Sequence, residues 1–286
     1  MQVTTNLNAL NAASALNVAN TEAAQASQRI STQLRINSAK DDPGGLTVAT
    51  KLKTQIGSLG KANENIHVGV GMLQTVDSAM TQITGFLTSM RDLAVRAASA
   101  TASASDKDTF QALLGSYRDQ INAISNTTSW NGYKLMDGSV ASISIQTGIN
   151  SGDTTSVSLS STLTSSLGKS NGTAVTDVSA IDISSALTAN PSAAMTVLDK
   201  AIADMSTKQA AVGAYQNILD SRTTLNSALV TVNSSAYGKI MNADLAAETA
   251  NLAAAQIKQN AASAMVTQSS QMNKEVVGYL LKGLMN

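Results

Sequence analysis

Few side chains in this sequence could do chemistry. His67 is the only histidine, and there is no cysteine. That set cannot build a His-x-x-His metal site, a thiol nucleophile or a triad containing histidine. Asp41 and Asp42 are adjacent and run into Pro43-Gly44-Gly45. Carboxylates just before a chain break suit a turn or helix cap better than paired acid–base work. Gly69-Val70-Gly71 has the form of half a dinucleotide loop, but it lacks a third glycine and follows no convincing strand. Asn126, Asn171 and Asn233 each open an Asn-x-Ser/Thr triplet, which a Ser/Thr-rich chain produces by chance. The methionines fall on apolar seams and read as core filler rather than ligands. The expectation is no enzyme, no metal and no cofactor.

The elements that hold these residues carry the stronger signal. Met72, Val76, Ala79, Ile83, Phe86, Met90, Leu93 and Ala97 follow an unbroken 4-3 spacing. This predicts a helix about 40 Å long that buries one narrow stripe against another long helix. Phe110, Leu114, Tyr117, Ile121 and Ile124 repeat the spacing, with Ser105 or Asp106 as the expected cap. A third seam runs Leu198, Ile202, Met205, Gln209, Val212, Gln216, Leu219, Thr223, Asn226, Val230, Asn233, Tyr237, Ile240. Its polar members cost stability and fix register. The simplest packing sets Met72–Ala97 against Leu198–Ile240.

Between the seams the style changes. Residues 46–66 read as a short helix and loop, with Gly57 and Gly60 as weak points. Trp130-Asn131-Gly132-Tyr133 is a turn signal. From Ser139 to Asn190, Ser, Thr and Gly dominate, and Ile143, Ile145, Val157 and Leu159 alternate with polar residues around a Gly148–Asp153 turn. That predicts a hairpin and a loop-rich excursion, projecting from the far end of the helices. The two chain ends are rich in Ala, Asn, Gln and Ser. Leu7, Leu10, Ile30 and Leu34 give one end a weak apolar face, and Met265, Met272, Val276, Leu280 and Leu284 give the other. Such helices are too weak to stand alone.

The fold expected is mainly α: long heptad-patterned helices in an elongated, coiled-coil-like bundle formed by both chain ends, with a small β/loop insert. The divisions expected are 1–42 and 245–286 as terminal helices, 43–138 and 191–244 as the helical core, and 139–190 as a short outer segment.

Composition narrows the partners. Charged residues make up 13% of the chain and aromatic residues 3%, with 19 basic and 19 acidic side chains. Charges are about half as frequent as usual, and zero net charge favours self-association. No basic stripe exists to neutralise phosphates, so no nucleic-acid partner is expected. No run of about 18 apolar residues occurs, so no membrane insertion is expected. The first residues have neither a basic nor an apolar leader region, so no classical signal peptide is expected.

Leu34-Arg35-Ile36-Asn37-Ser38-Ala39-Lys40-Asp41-Asp42 closely resembles the N-terminal signature of bacterial flagellin. Met90-Arg91-Asp92-Leu93-Ala94-Val95 and Trp130-Asn131-Gly132-Tyr133-Lys134-Leu135 resemble two further flagellin motifs in the right order, and Leu252 to Met285 is similar to the flagellin C-terminus. The resemblance implies a subunit that self-assembles into the extracellular flagellar filament and serves swimming. Its terminal helices would pair in the inner tube, with Leu7, Leu10, Ile30, Leu34, Met265, Met272, Val276, Leu280 and Leu284 as polymerisation residues. It also implies secretion through the flagellar type III export apparatus, an export chaperone, and the flagellar cap and hook-junction proteins as partners.

Pro43-Gly44-Gly45 departs from the Ala-rich continuation of many flagellins. An Asp-Asp-Pro run also occurs in the related hook–filament junction protein, which stays as the alternative. Flagellins sensed by the Toll-like immune receptor carry Arg-x-Arg-Glu-Leu. The matching residues here are Ser89, Met90, Arg91, Asp92 and Leu93, and Leu113 stands where a glutamate is expected. A serine cannot replace the planar donors of an arginine, so weak receptor activation is expected. The short insert implies outer domains reduced to one small module or none, with O-glycosylation open to its Ser/Thr residues.

Overall fold

The computed structural model describes residues 6–169, 176–185 and 190–284; Asn171 of the second Asn-x-Ser/Thr triplet lies outside them. The chain is mainly helical. Its helices are α1 (Leu7–Thr32), α2 (Pro43–Ala97), α3 (Ala104–Thr127), α4 (Pro191–Met241) and α5 (Leu245–Leu284). Between α3 and α4 lie β1 (Ser129–Trp130), β2 (Tyr133–Lys134), β3 (Ser142–Gln146), β4 (Thr154–Ser158) and a 3-10 turn at Val178–Ala180. Two compact units form: Met1–Ile56 with Thr231–Asn286, and Gly57–Val230.

In the unit Gly57–Val230 the 4-3 seam of α2 is buried from Met72 to Ala97, with Phe86 partly so. A second row at strict sevens, Ile66, Leu73, Met80, Leu87 and Ala94, is buried beside it. The helix thus buries a broad band rather than the single narrow stripe expected, which lets it serve neighbours on two sides. Nor is the stretch before it a short helix and loop: α2 is helical from Pro43 onward. A methyl group added at Gly57 or Gly60 would meet nothing within 4 Å, so both glycines sit on open helix surface. Each costs about 1 kcal/mol relative to alanine. Burial of Leu59, Ala62 and Ile66 outweighs that cost.

The polar positions of the α4 seam hold it antiparallel to α2. Gln209 Nε2 donates to Asp77 Oδ1 and Thr81 Oγ1, each at 3.0 Å. Buried Asn226 donates to Asn63 Oδ1 at 3.0 Å and to the Thr147 carbonyl at 2.9 Å. A one-turn slip would leave Asn226 buried without partners and break the Gln209 contacts, which is how they fix register.

Helix α3 starts two residues earlier than expected. Ser103, not Ser105 or Asp106, is the cap: its hydroxyl accepts from the Asp106 N–H, and the Asp106 carboxylate accepts from the Ser103 N–H. The reciprocal pair needs a spacing of three, which only Ser103 has to Asp106.

Trp130-Asn131-Gly132-Tyr133 closes a two-residue hairpin. Asn131 and Gly132 have φ of 49° and 84°, the pair of positive values a type I′ turn requires. Strands β3 and β4 pair antiparallel with Ile143 opposite Val157, and Ile145 and Val157 are buried. The insert lies along the helices instead of projecting from their end. Its Leu159, Leu167, Val178, Ile181 and Ile183 join the helical core. The Gln111 amide oxygen accepts from Ile183 N–H, Asn122 accepts from Thr164, and Lys208 Nζ donates to the Ser161 carbonyl. Those few apolar residues, spread through a Ser/Thr background, are enough to dock the segment.

This packing also explains Gly69-Val70-Gly71. A Cβ at Gly69 would stand 2.5 Å from Ile145 Cδ1, and one at Gly71 would stand 3.4 Å from the Trp130 ring. The two glycines are notches in α2 that admit the insert.

Candidate functional site

In the unit Met1–Ile56 with Thr231–Asn286, the signature between α1 and α2 is a tightly bonded connector. Asp41 Oδ2 accepts from the N–H of Ser38 (2.8 Å), the N–H of Asn37 (3.0 Å) and the Ser38 hydroxyl (3.1 Å). Those donors, the Ser38 and Asn37 amides first, hold its carboxyl below the ordinary value of 3.8. Asp42 caps α2 by accepting from the Gly45 N–H at 2.8 Å, with Pro43 as the first helical residue. A side chain at Gly45 would collide with the Asp42 carboxylate and with Ile36 Cδ1. Ile36, Ala49 and Met241 form a small core there, with Leu34, Leu46, Tyr237 and Ile240 packed on it. The Arg35 N–H donates to Met241 O and its guanidinium to Ile240 O, while Ala243 N–H donates to Gln33 O. The two carboxylates therefore shape a joint.

Helices α1 and α5 lie antiparallel. Asn6 Nδ2 donates to the Ser269 carbonyl (2.9 Å), Lys258 pairs with Glu22 (2.9 Å), and Arg29 pairs with Glu248 (3.2 Å). The buried residues of α1 are Ala12, Ala19 and Ala26, seven apart. Those described on α5 are Glu248, Ala255 and Ala262, again seven apart. Alanine on both sides lets the backbones come within 8 Å of each other. This seam was not anticipated, because alanine barely registers in an amphipathic pattern; the strict seven-residue recurrence was its signal.

The residues expected for polymerisation sit elsewhere. Leu7 is 65% exposed and Leu10 62%, as are Met265 (65%) and Met272 (56%). Val18 and Ile257 are exposed with them. Ile30 is half-buried, and Leu34 lies beyond the end of α1, bridged to Asn242. The side chains of Val276, Leu280 and Leu284 lie outside the described residues. Small residues thus join the two helices, while Leu7, Leu10, Met265 and Met272 face outward.

In the unit Gly57–Val230 the segment at 89–93 divides by face. Met90 and Leu93 are buried on the α2 seam, and Asp92 is exposed. Ser89 bonds back to the Gly85 carbonyl at 3.0 Å. Arg91 pairs through Nε with Asp199 of α4, and that carboxylate pushes its pKa further up. Leu113, on α3, is 44% exposed.

A cavity of about 340 Å³ at the tip of the β3–β4 hairpin holds Asp153 and Arg222 in its lining. Asp153 is engaged within its own loop, accepting from both nitrogens of Asn150 at 2.9 Å. Among the described residues, no group of three or more His, Cys, Asp or Glu could hold a metal ion, and no helix is long and apolar enough to cross a membrane.

Comparison with known proteins agrees with this geometry. Residues 3–141 match the bacterial flagellin N-terminal helical region, and residues 195–280 match the bacterial flagellin C-terminal helical region. Flagellin E of Vibrio cholerae is 39% identical over 159 residues, 56% of this chain and 42% of its own length. B-type flagellin of Pseudomonas aeruginosa is 36% identical over 168 residues, 59% of this chain and 34% of its own. The chain spans less than half the length of these curated relatives. A solved structure described as a flagellar hook-associated protein of Vibrio parahaemolyticus superposes with a TM-score of 0.60 at 17% identity, covering 71% of this chain and 100% of its own, a likeness of fold alone. With both terminal helical regions matched around a paired α1 and α5, this chain belongs to the bacterial flagellin family.

Proposed function

We propose that this chain is a structural subunit that self-assembles into the extracellular filament of a bacterial flagellum and serves swimming motility. The observation that carries the proposal is the division of labour in α1 and α5. Alanine holds the pair together, while Leu7, Leu10, Val18, Ile257, Met265 and Met272 stay exposed on a chain of zero net charge. Exposed large apolar residues at both chain ends suit burial against further copies. In this reading 1–42 and 245–286 are inner-tube segments, 43–138 and 191–244 the surrounding core, and 139–190 a reduced outer segment. Export through the type III apparatus with a chaperone, and contact with cap and hook-junction proteins, belong to the same reading. The chain acts by assembly and catalyses nothing.

Electron microscopy of concentrated protein with filament seeds tests this. Long helical filaments are expected, and removal of residues 1–30 or 255–286 is expected to abolish them. Normal filaments from either truncated chain would overturn the inner-tube assignment. A hook–filament junction protein would instead be present in only a handful of copies per flagellum, which quantitative immunoblotting separates from a filament subunit.

A further inference from the structure

The chain contains 11 methionines, and the structure sorts them sharply. Met72, Met80, Met90, Met136, Met205 and Met241 are buried, and Met195 is half-buried against the core. Met265 and Met272 are the exposed ones among the described residues. They lie seven residues apart, so they occupy one edge of α5 about 10 Å apart along its axis. Residues 259–273 around them contain no charged side chain.

We propose that Met265 and Met272 are an oxidation site through which a peroxide-class oxidant stops the free subunit from joining a filament. The inference rests on the assembly reading above and adds a chemical control to it. The thioether sulfur attacks one peroxide oxygen. The S–O bond forms as the O–O bond breaks, the sulfur is oxidised by two electrons to a sulfoxide, and the other oxygen leaves as water. Access to sulfur governs the rate, so the buried methionines react far more slowly than these two. The product is a strong dipole with a hydrogen-bond acceptor on a side chain that was flexible and apolar. Lys274 and Glu275 follow Met272, but none of the residues 259–273 is charged. Pressed against another subunit, the sulfoxide loses its water, and its burial there is costly. Before assembly both sulfurs are open to the oxidant, and within a filament they are covered. The site therefore reports on unassembled subunits.

The test uses the full chain, hydrogen peroxide and seeded elongation followed by light scattering, with peptide mass spectrometry to place each added oxygen atom. Untreated subunit elongating on seeds tests the assembly reading by itself. Peroxide-treated subunit is expected to carry oxygen first at Met265 and Met272 and to elongate roughly tenfold more slowly or worse. Methionine sulfoxide reductases of both stereospecificities should restore the rate. The elongation rate of the Met265→Leu/Met272→Leu chain, compared with its own untreated rate, should not change at the same peroxide dose. If that double variant fails to elongate untreated, the two single Leu variants and the reductase rescue decide the matter. Elongation of doubly oxidised subunit at the untreated rate overturns the inference, as does equal peroxide sensitivity of the Leu variants. Oxidation at the two sites as fast in filaments as in free subunit overturns it too.

Discussion

Leucine at position 19 should open the α1·α5 pair, whereas alanine at positions 7 and 10 should leave it closed. Ala19 is 2% exposed and sits between Ala12 and Ala26 on the seam. Leu and Ala have nearly equal helix propensity, so Ala19→Leu tests packing rather than helix formation. The described alanine seam consists of Ala12, Ala19, Ala26, Ala255 and Ala262. At about 0.8 kcal/mol per buried methyl it contributes about 4 kcal/mol at most. Three extra carbons forced into a contact with backbones within 8 Å cost about 1–3 kcal/mol, which removes a quarter or more of that contribution. The opening equilibrium of the pair should rise roughly 5- to 150-fold. Hydrogen exchange of the full chain reads this directly. Amides of α1 and of 245–272 should lose protection by that factor, and amides of residues 57–230 should keep theirs. Leu7→Ala/Leu10→Ala removes side chains that are already exposed, so its exchange should match the parent while seeded elongation falls. Unchanged α1 protection in Ala19→Leu would refute the alanine-seam account. Normal elongation of Leu7→Ala/Leu10→Ala would refute the assignment of those leucines to assembly.

Four further outcomes are expected. Asn226→Ala strands the Thr147 carbonyl and Asn63 Oδ1 and should destabilise the unit Gly57–Val230 by about 1–3 kcal/mol in denaturant titration; a change under about 0.3 kcal/mol would refute the register role. Asp41 has a folded pKa below its ordinary 3.8, so its contribution is complete above 3.8 and lost as pH falls from there through the lower folded value; parent and Asp41→Asn chains should therefore differ in stability at neutral pH and converge in acid, and a gap persisting below the depressed pKa would contradict this. Arg91→Ala breaks a half-exposed pair with Asp199 and should shift stability by no more than about 1 kcal/mol, and in a cell reporter the parent chain should activate the Toll-like immune receptor only weakly, full potency refuting that reading.

What could be read in advance follows from side-chain size. The 4-3 seams of α2, α3 and α4 were visible because bulky residues mark them, and Gln209 and Asn226 were visible as polar residues in apolar rows. The second buried row of α2 was less so, since a single-stripe reading stops at Met72 and assigns Leu73 and Met80 no partner. Gly57 and Gly60 read as a break because local propensity cannot register the burial of Leu59 and Ile66 on either side. The docked insert was hidden for a related reason: Leu167, Val178, Ile181 and Ile183 lie too far apart to form a period. At the chain ends the bias ran the other way. Leu7, Leu10, Met265 and Met272 drew attention as an apolar face, while the face that pairs the two helices is alanine.

In the proposed filament subunit that inversion has a physical role. A leucine seam would bury far more area and let α1 and α5 pair firmly in the free chain. An alanine seam gives a close but weak contact, of the same order as the cost of ordering a few residues. Such a pair is held closed by only a few kcal/mol in the free subunit, and any partner that binds only the closed form shifts the balance further toward it. In the proposed filament the outward leucines and methionines provide that binding when a neighbouring copy covers them. Folding of the chain ends and addition to a filament then become one linked equilibrium, and substitutions on either face of α1 should weaken assembly by different routes. A seam variant should fail because its closed form is rare; a face variant should close normally and fail because the closed form gains nothing from its neighbour. Raising subunit concentration should recover the first in proportion to its opening equilibrium, and a recovery identical for the two classes would show that closure and assembly are not linked.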